Sequence, residues 1–133
     1  MNQINILEIV RENGPIVATA IHDGHILRKE VAELSALTNS ERLREEDPFT
    51  REWTSVGNNQ IIGKISRFEV DLNRPREKAI YLVPEDAWGL KVHKSKPSQE
   101  FVIRSLSEYD TFYATVHQIF SEIEQQFGRF VVF

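Results

Sequence analysis

The sequence predicts a single α/β domain over residues 1–133, with a central sheet flanked by helices. Short apolar segments of the kind that form strands occur through its first two thirds. A helical apolar pattern then covers residues 106–127, and a continuous apolar run follows at residues 129–133. Such a run after a helix is typical of a central strand of an α/β sheet, covered on both faces. With 41% hydrophobic residues, the chain can bury a core.

The composition argues against several classes of protein. A formal net charge of −4, without a block of lysine and arginine, argues against nucleic acid as the main partner. No apolar run approaches the roughly 20 residues that span a bilayer. Glu8 and Glu12 lie where a signal peptide would be apolar. Without cysteine there is neither a disulfide nor a thiolate metal site. We expect a cytoplasmic protein with no membrane partner.

The first half of the chain predicts two strands and two helices. Residues 4–10 and 15–22 are β-prone runs separated by Arg-Glu-Asn-Gly, which predicts a hairpin or two neighbouring strands. Residues 28–37 carry apolar side chains at helical spacing. Residues 40–53 begin with a serine that can cap a helix, and Pro48 interrupts the segment.

The middle of the chain predicts further strands. Residues 59–74 are interpreted as one long strand or as two strands broken near Gly63, and residues 78–84 as another. Within the first segment Phe68, Val70 and Leu72 alternate with charged residues, as in a strand. Residues 85–99 are interpreted as a loop.

The last third predicts a long amphipathic helix followed by a strand. Ser105 and Glu108 can form a capping box, and Gly128 fits the position just past the helix end. We expect residues 129–133 to share a sheet with the segments 15–22 and 66–72. The apolar stripe of the helix should pack on that sheet; it comprises Tyr109, Phe112, Tyr113, Val116, Ile119, Phe120, Ile123 and Phe127.

Two histidines form the first candidate site. His22 and His25 flank Asp23-Gly24 at the carboxyl end of a predicted strand, where α/β proteins place their ligands. Two imidazoles with a carboxylate between them can hold a divalent metal, and zinc suits such ligands. The alternative is a turn with two exposed histidines.

An acidic segment at residues 44–49 forms the second candidate. Three consecutive acids precede Pro48, as at a solvated helix end. Alternatively, Glu46 or Asp47 turns inward and supplies the carboxylate ligand that His22 lacks. Neither segment identifies a metal site by itself.

Charged residues along segment 66–74 form the third candidate. Arg67 can polarise a carbonyl or stabilise an oxyanion. Asn73 and Arg74 are donors that can bind a carboxylate, the arginine through two parallel hydrogen bonds. Glu69 and Asp71 could hold these arginines in place. The alternative is a ladder of salt bridges on an exposed sheet face.

These three segments resemble the N-formylglutamate amidohydrolase family. The first segment is a predicted strand that ends in His-x-Gly at residues 22–24. The second, at residues 44–49, contains Arg-x-Glu-Asp followed by an aromatic residue. The third, at residues 67–74, has the motif Arg-x-x-x-Asp-Leu-Asn-Arg. The last motif is fairly specific, and the resemblance extends over residues 15–83. It implies a mixed central sheet flanked by helices, of the phosphorylase/hydrolase-like zinc exopeptidase type.

The resemblance also implies roles for individual residues. Zinc would be the cofactor and His22 a ligand; Glu46 is the preferred second ligand, then His25, then Asp47. Arg67 matches the arginine that polarises the substrate carbonyl. Asn73 and Arg74 match the pair that binds a carboxylate of a small-molecule substrate. These roles imply metal-dependent hydrolysis of an N-acyl amino acid such as N-formyl-glutamate.

The resemblance further implies that the family's remaining catalytic residues would follow Phe133. We therefore expect the N-terminal part of an enzyme, with little or no turnover by itself. Residues 129–133 would then present an apolar edge that favours a homodimer. The alternative function is a non-enzymatic acidic α/β module that binds a partner or an anionic small molecule through Arg67 and Arg74.

Overall fold

A four-stranded mixed sheet forms the centre of the protein. The computed structural model describes residues 5–133, and residue 4 of the first predicted strand lies outside the described part. The strands have the order β1-β3-β2-β4; β1 is antiparallel to β3, and β2 is parallel to both β3 and β4. The expected α/β architecture is therefore confirmed. The strands are β1 Leu7–Val10, β2 Ile16–Ala20, β3 Asn59–Gly63 and β4 Val131–Val132.

The first two strands are not neighbours, so the predicted hairpin is wrong. β3 lies between them and pairs with both, so that Ile61 faces Ile9 on one side and Thr19 on the other. Ile61 is fully buried, as is Val17 of β2. β3 is the most buried of these three strands, because its central place removes both of its faces from water.

Two short helices follow β2. They are α1, Lys29–Leu34, and α2, Asn39–Glu45. The Thr38 hydroxyl accepts a hydrogen bond from the Glu41 amide, and the Glu41 carboxylate accepts one from the Thr38 amide. This capping box starts α2 two residues before the predicted Ser40 cap. A 3₁₀ helix, Thr50–Val56, follows the interruption at Pro48.

The long helix α3, Gln99–Phe127, begins earlier than predicted. Ser98 caps it by accepting a hydrogen bond from the Phe101 amide, whereas Ser105 is buried inside the helix. The predicted capping box is therefore wrong. Gly128, with φ of 75°, ends the helix as expected. Among the described residues no helix is both long and apolar enough to cross a membrane.

The segments 66–72 and 78–84 were predicted as strands, and both predictions are wrong. After β3 the chain makes one parallel bridge, Ile26 to Ile65, and then a series of turns. Both faces of the alternating pattern are buried: Phe68, Val70 and Leu72 on one side, and the acids Glu69 and Asp71, each 1% exposed, on the other. Arg28 lies beside Glu69 and His22 beside Asp71, so both acids can be buried although the segment forms turns and not a strand.

The strand β4 lies at the edge of the sheet, not at its centre as predicted. Within residues 5–133 it pairs with β2 alone, and Val131 and Val132 are exposed. Residues 129–133 thus share the sheet with segment 15–22 as expected, but segment 66–72 does not. Dimerisation through this exposed edge stays a prediction.

The helix α3 packs on the sheet through its apolar stripe as expected, except that Tyr113 and Phe127 of the predicted stripe are exposed. Fully or nearly buried side chains of α3 join Val17 and Ile61 of the sheet in one core. Phe120 contacts Phe130, with ring centroids 5.2 Å apart. Burying each large side chain contributes roughly 1.5–3 kcal/mol. The buried α3 members of this core are Tyr109, Phe112, Ile119 and Ile123.

A buried ionic cluster ties the turns at 66–74 to α3. The Arg28 amide donates to Glu69 at 2.7 Å, and Arg28 Nη1 lies 3.3 Å from Glu69 and 3.4 Å from Glu108. Arg28 also donates to Glu30 and to the Phe101 carbonyl. Glu69 therefore holds Arg28, not the arginines of its own segment as predicted.

Candidate active site

The predicted site residues converge where β2 and β3 end. Because these strands are parallel, their carboxyl ends lie at the same edge of the sheet. His22 follows β2, and Arg67 follows the bridge that continues β3. A Cβ atom on Gly24 would lie 2.3 Å from the carbonyl carbon of Lys64. Only glycine lets the His-x-Gly turn approach β3 this closely.

Asp71 is the centre of the site. Its carboxylate is 1% exposed, and Oδ1 lies 2.8 Å from His22 Nε2 and accepts the Asn73 amide at 2.9 Å. The Tyr81 hydroxyl donates to Oδ2. Burial alone would raise the pKa of Asp71, but the hydrogen bonds from His22, Tyr81 and Asn73 outweigh it and hold the pKa well below its usual value. Asp71 is therefore an anion at neutral pH.

Both predicted arginines face this anion. Arg67 Nη2 and Arg74 Nε each lie 3.5 Å from Asp71 Oδ2. Arg67 also donates to the Glu45 carbonyl at 2.6 Å and to the Tyr81 hydroxyl at 3.2 Å. Burial lowers the pKa of Arg67, but Tyr81, Asp71 and Asp47 reverse this effect and leave the pKa raised. The expectation that Asp71 holds these arginines agrees with the geometry.

His22 presents its other ring nitrogen to Asp47. Since Asp71 is ionised and accepts from Nε2, a neutral His22 ring has its lone pair at Nδ1. Nδ1 lies 3.6 Å from Asp47 Oδ2, whose side chain is 52% exposed. An imidazole nitrogen beside a carboxylate oxygen, with a carboxylate behind the ring, is a donor set that fits zinc. His22 and Asp47 are therefore suited to hold the implied metal.

Glu46 and His25 contact each other instead of His22. His25 Nδ1 lies 2.5 Å from Glu46 Oε2, and Arg42 donates to the other ring nitrogen at 3.0 Å. Glu46 Oε1 accepts from Arg42 at 3.1 Å and from the Ser66 hydroxyl. This network joins the turn after β2 to α2. Their role as metal ligands stays a prediction, and the distances favour Asp47 beside His22.

A cavity of about 400 Å³ opens beside His22 and Asp47. Trp53 and Phe133 form part of its wall. A larger cavity of about 540 Å³ lies between α1 and the start of α3 and is lined by none of the predicted site residues. Within residues 5–133, no group of three or more His, Cys, Asp or Glu side chains is arranged to hold a metal.

Asn73 and Arg74 lie at the outer side of the site. Asn73 is exposed, and Arg74 is partly exposed while its Nε faces Asp71. The Arg74 guanidinium stacks over the Tyr81 ring, with Cζ 4.5 Å from the centroid. Both side chains are accessible to a ligand from solvent. Their role in binding a carboxylate stays a prediction.

Two aromatic residues of the site were missed from the sequence. The sequence predicts a strand at Tyr81 and a loop at Trp88, yet both side chains stack on the predicted arginines. Neither belongs to a spacing pattern or to the matched motifs. The only signal in the sequence was that Tyr81 and Trp88 follow an arginine-rich segment, and this does not indicate which arginine each ring contacts.

Comparison with known proteins identifies the family of the chain and a solved structure with a similar fold. The model of a family described as N-formylglutamate amidohydrolase matches residues 14–133. A solved structure, N-formylglutamate amidohydrolase from Ralstonia eutropha JMP134, superimposes with a TM-score of 0.76 at 18% identity. The match covers 97% of this chain and 55% of that one, so the chain spans about half the length of this relative. At this identity the likeness shows the fold. No curated protein matches the chain.

Proposed function

Because the chain belongs to the N-formylglutamate amidohydrolase family, we propose that it serves the hydrolysis of an N-acyl amino acid such as N-formyl-glutamate. The products are the free amino acid and a carboxylic acid. One observation carries the proposal: the Asp71 carboxylate contacts His22 at 2.8 Å and both Arg67 and Arg74 at 3.5 Å. A metal-ligand candidate and two substrate-binding candidates are thus arranged around a single anion.

In this proposal His22 Nδ1 and Asp47 hold zinc, while Glu46 and His25 stabilise the surrounding turns. Bound zinc supplies a Lewis acid that lowers the pKa of water toward ~7. Asp71 fixes the orientation of the His22 ring and keeps its proton on Nε2. Since catalytic zinc sites normally use three protein ligands, we expect weak zinc binding and little or no turnover by residues 1–133 alone.

The two arginines bind the substrate in this proposal. Arg67 is held by three contacts, so its guanidinium is positioned to stabilise the negative charge that develops on the acyl oxygen. Arg74 and Asn73, which are more exposed, bind a carboxylate of the amino acid. N-formyl-glutamate has both groups that this arrangement requires: an acyl oxygen for Arg67 and a carboxylate for Arg74.

Titration calorimetry with N-formyl-L-glutamate tests the carboxylate site. Arg74→Gln should weaken binding about tenfold or more, because a hydrogen bond to a charged group contributes about 1.5–3 kcal/mol. Arg76→Gln is the matched control, since Arg76 is bound to Asp110 on α3 and not to Asp71. Equal losses in the two variants would contradict the assignment.

A zinc titration of the same proteins tests the metal site. His22→Ala and Asp47→Asn should each abolish the weak affinity, while Glu46→Gln should retain it. Formate release from N-formyl-L-glutamate should stay at background. Carboxylate binding without any zinc affinity at His22 would favour the non-enzymatic anion-binding module.

A further inference from the structure

We propose that Trp88 is a positioning residue that holds Arg67 and Arg74 in the orientation needed to bind the acyl oxygen and a carboxylate of the substrate. The inference rests on the proposed function, because it assigns a task to both arginines. It also explains why a large, half-exposed aromatic side chain lies at this edge of the site.

The indole ring of Trp88 lies against both guanidinium groups. Arg67 Cζ is 5.0 Å from the ring centroid and Arg74 Cζ is 5.9 Å from it, both within cation–π range. Tyr81 completes the arrangement: it stacks under Arg74 at 4.5 Å and meets the edge of Trp88, with centroids 6.0 Å apart. Two rings thus contact two cations.

The backbone fixes Trp88 in this position. Its φ of 54° is left-handed, which a bulky residue rarely adopts. The turn before it is closed by the Asp86 carboxylate, which accepts from the Leu82 amide at 3.0 Å. Ala87 is fully buried in a second apolar core together with Tyr81. An unfavourable backbone conformation that the surroundings impose is often found at functional sites.

The stacking on Trp88 does not itself occupy any N–H donor of the two arginines. A guanidinium donates its hydrogen bonds in its own plane, whereas an aromatic ring contacts its face. Trp88 therefore restrains both guanidinium groups without competing with the substrate for their N–H donors. Trp88 is 53% exposed, so it can also shield one side of the bound substrate from water.

Titration calorimetry with N-formyl-L-glutamate and with glutarate tests this role. Trp88→Leu should weaken binding of both about tenfold, because each arginine loses a stacked ring. Trp88→Phe retains a ring and should restore affinity to within about threefold of the unaltered chain. Leu82→Ala is the matched control: Leu82 is also 53% exposed, lies in the same loop and should leave affinity unchanged. The melting temperatures should agree, which separates positioning from folding.

The outcomes separate the inference from the proposed function. If the leucine variant binds both compounds as tightly as the unaltered chain, the positioning role is wrong and the proposed function stands. If the unaltered chain binds glutarate but not N-formyl-L-glutamate, and Trp88→Leu weakens that binding, the positioning role stands and the proposed substrate is wrong. No measurable binding of either compound overturns both.

Discussion

Replacing Glu108 by glutamine should remove a loss of stability that the native chain suffers as the pH rises from about 5 to about 8. Burial and the neighbouring Glu69 carboxylate raise the pKa of Glu108 to about 8, although Arg28 opposes this effect. The side chains of Glu108 and Glu69 are 17% and 0% exposed. One proton held by Glu108 thus lets two carboxyl groups share one buried arginine.

The sign and size of the effect follow from this pKa. In the unfolded chain Glu108 should titrate near its ordinary value of 4.5. Between the two values the folded state binds more protons, so the free energy of unfolding falls as the pH rises and levels off above about 8. At about 1.4 kcal/mol per pH unit, the fall is on the order of 3–5 kcal/mol. Glutamine keeps an N–H donor toward Glu69 but does not titrate.

Urea unfolding followed by circular dichroism between pH 5 and 9 measures this difference. The quantity to compare is the free energy of unfolding of Glu108→Gln minus that of the unaltered chain, because contributions of the other titrating groups cancel in this difference. The difference should increase from pH 5 to about pH 8. Glu124→Gln, an exposed position on the same helix, is the control and should show no such trend. Parallel curves for Glu108→Gln and the unaltered chain would refute the shared proton.

Two further predictions concern the cores. Ile123→Ala should lower the free energy of unfolding by about 2–4 kcal/mol because Ile123 is 2% exposed in the α3–sheet core. Ile103→Ala, at a 58% exposed position of the same helix, should change it by less than about 0.5 kcal/mol, and comparable losses would contradict the packing. Burial lowers the pKa of His93, although a hydrogen bond with the Tyr81 backbone opposes this effect. As the pH drops below about 6.5, the unfolded state therefore binds a proton at His93 before the folded state does, and the free energy of unfolding should fall. His93→Leu should flatten that fall in the same urea assay, and an unchanged slope would exclude His93 as its source.

The sequence predicted correctly those features that depend on residues close together in the chain, and failed for those that depend on distant residues. The α3 stripe repeats every three or four residues, so its buried face was correctly predicted. The segment 66–72 has an equally regular alternation, but its second face is buried by Arg28 and His22, which lie far away in the sequence. Pairing such as that of β2 with β4 leaves no local trace, and neither does the stacking of Trp88 on Arg67.

The strand order also determines when the site can form during folding. Two of the three strand pairs of the described sheet join strands that are not consecutive in the chain: β1 pairs with β3, and Ile16 of β2 pairs with Val131 of β4. Loop-closure entropy must be overcome before such distant contacts contribute, so topologies of this kind fold slowly. His22 and Asp71 meet only after β2 and β3 have paired. The chemistry of this edge is therefore a property of the completed fold and not of any local segment.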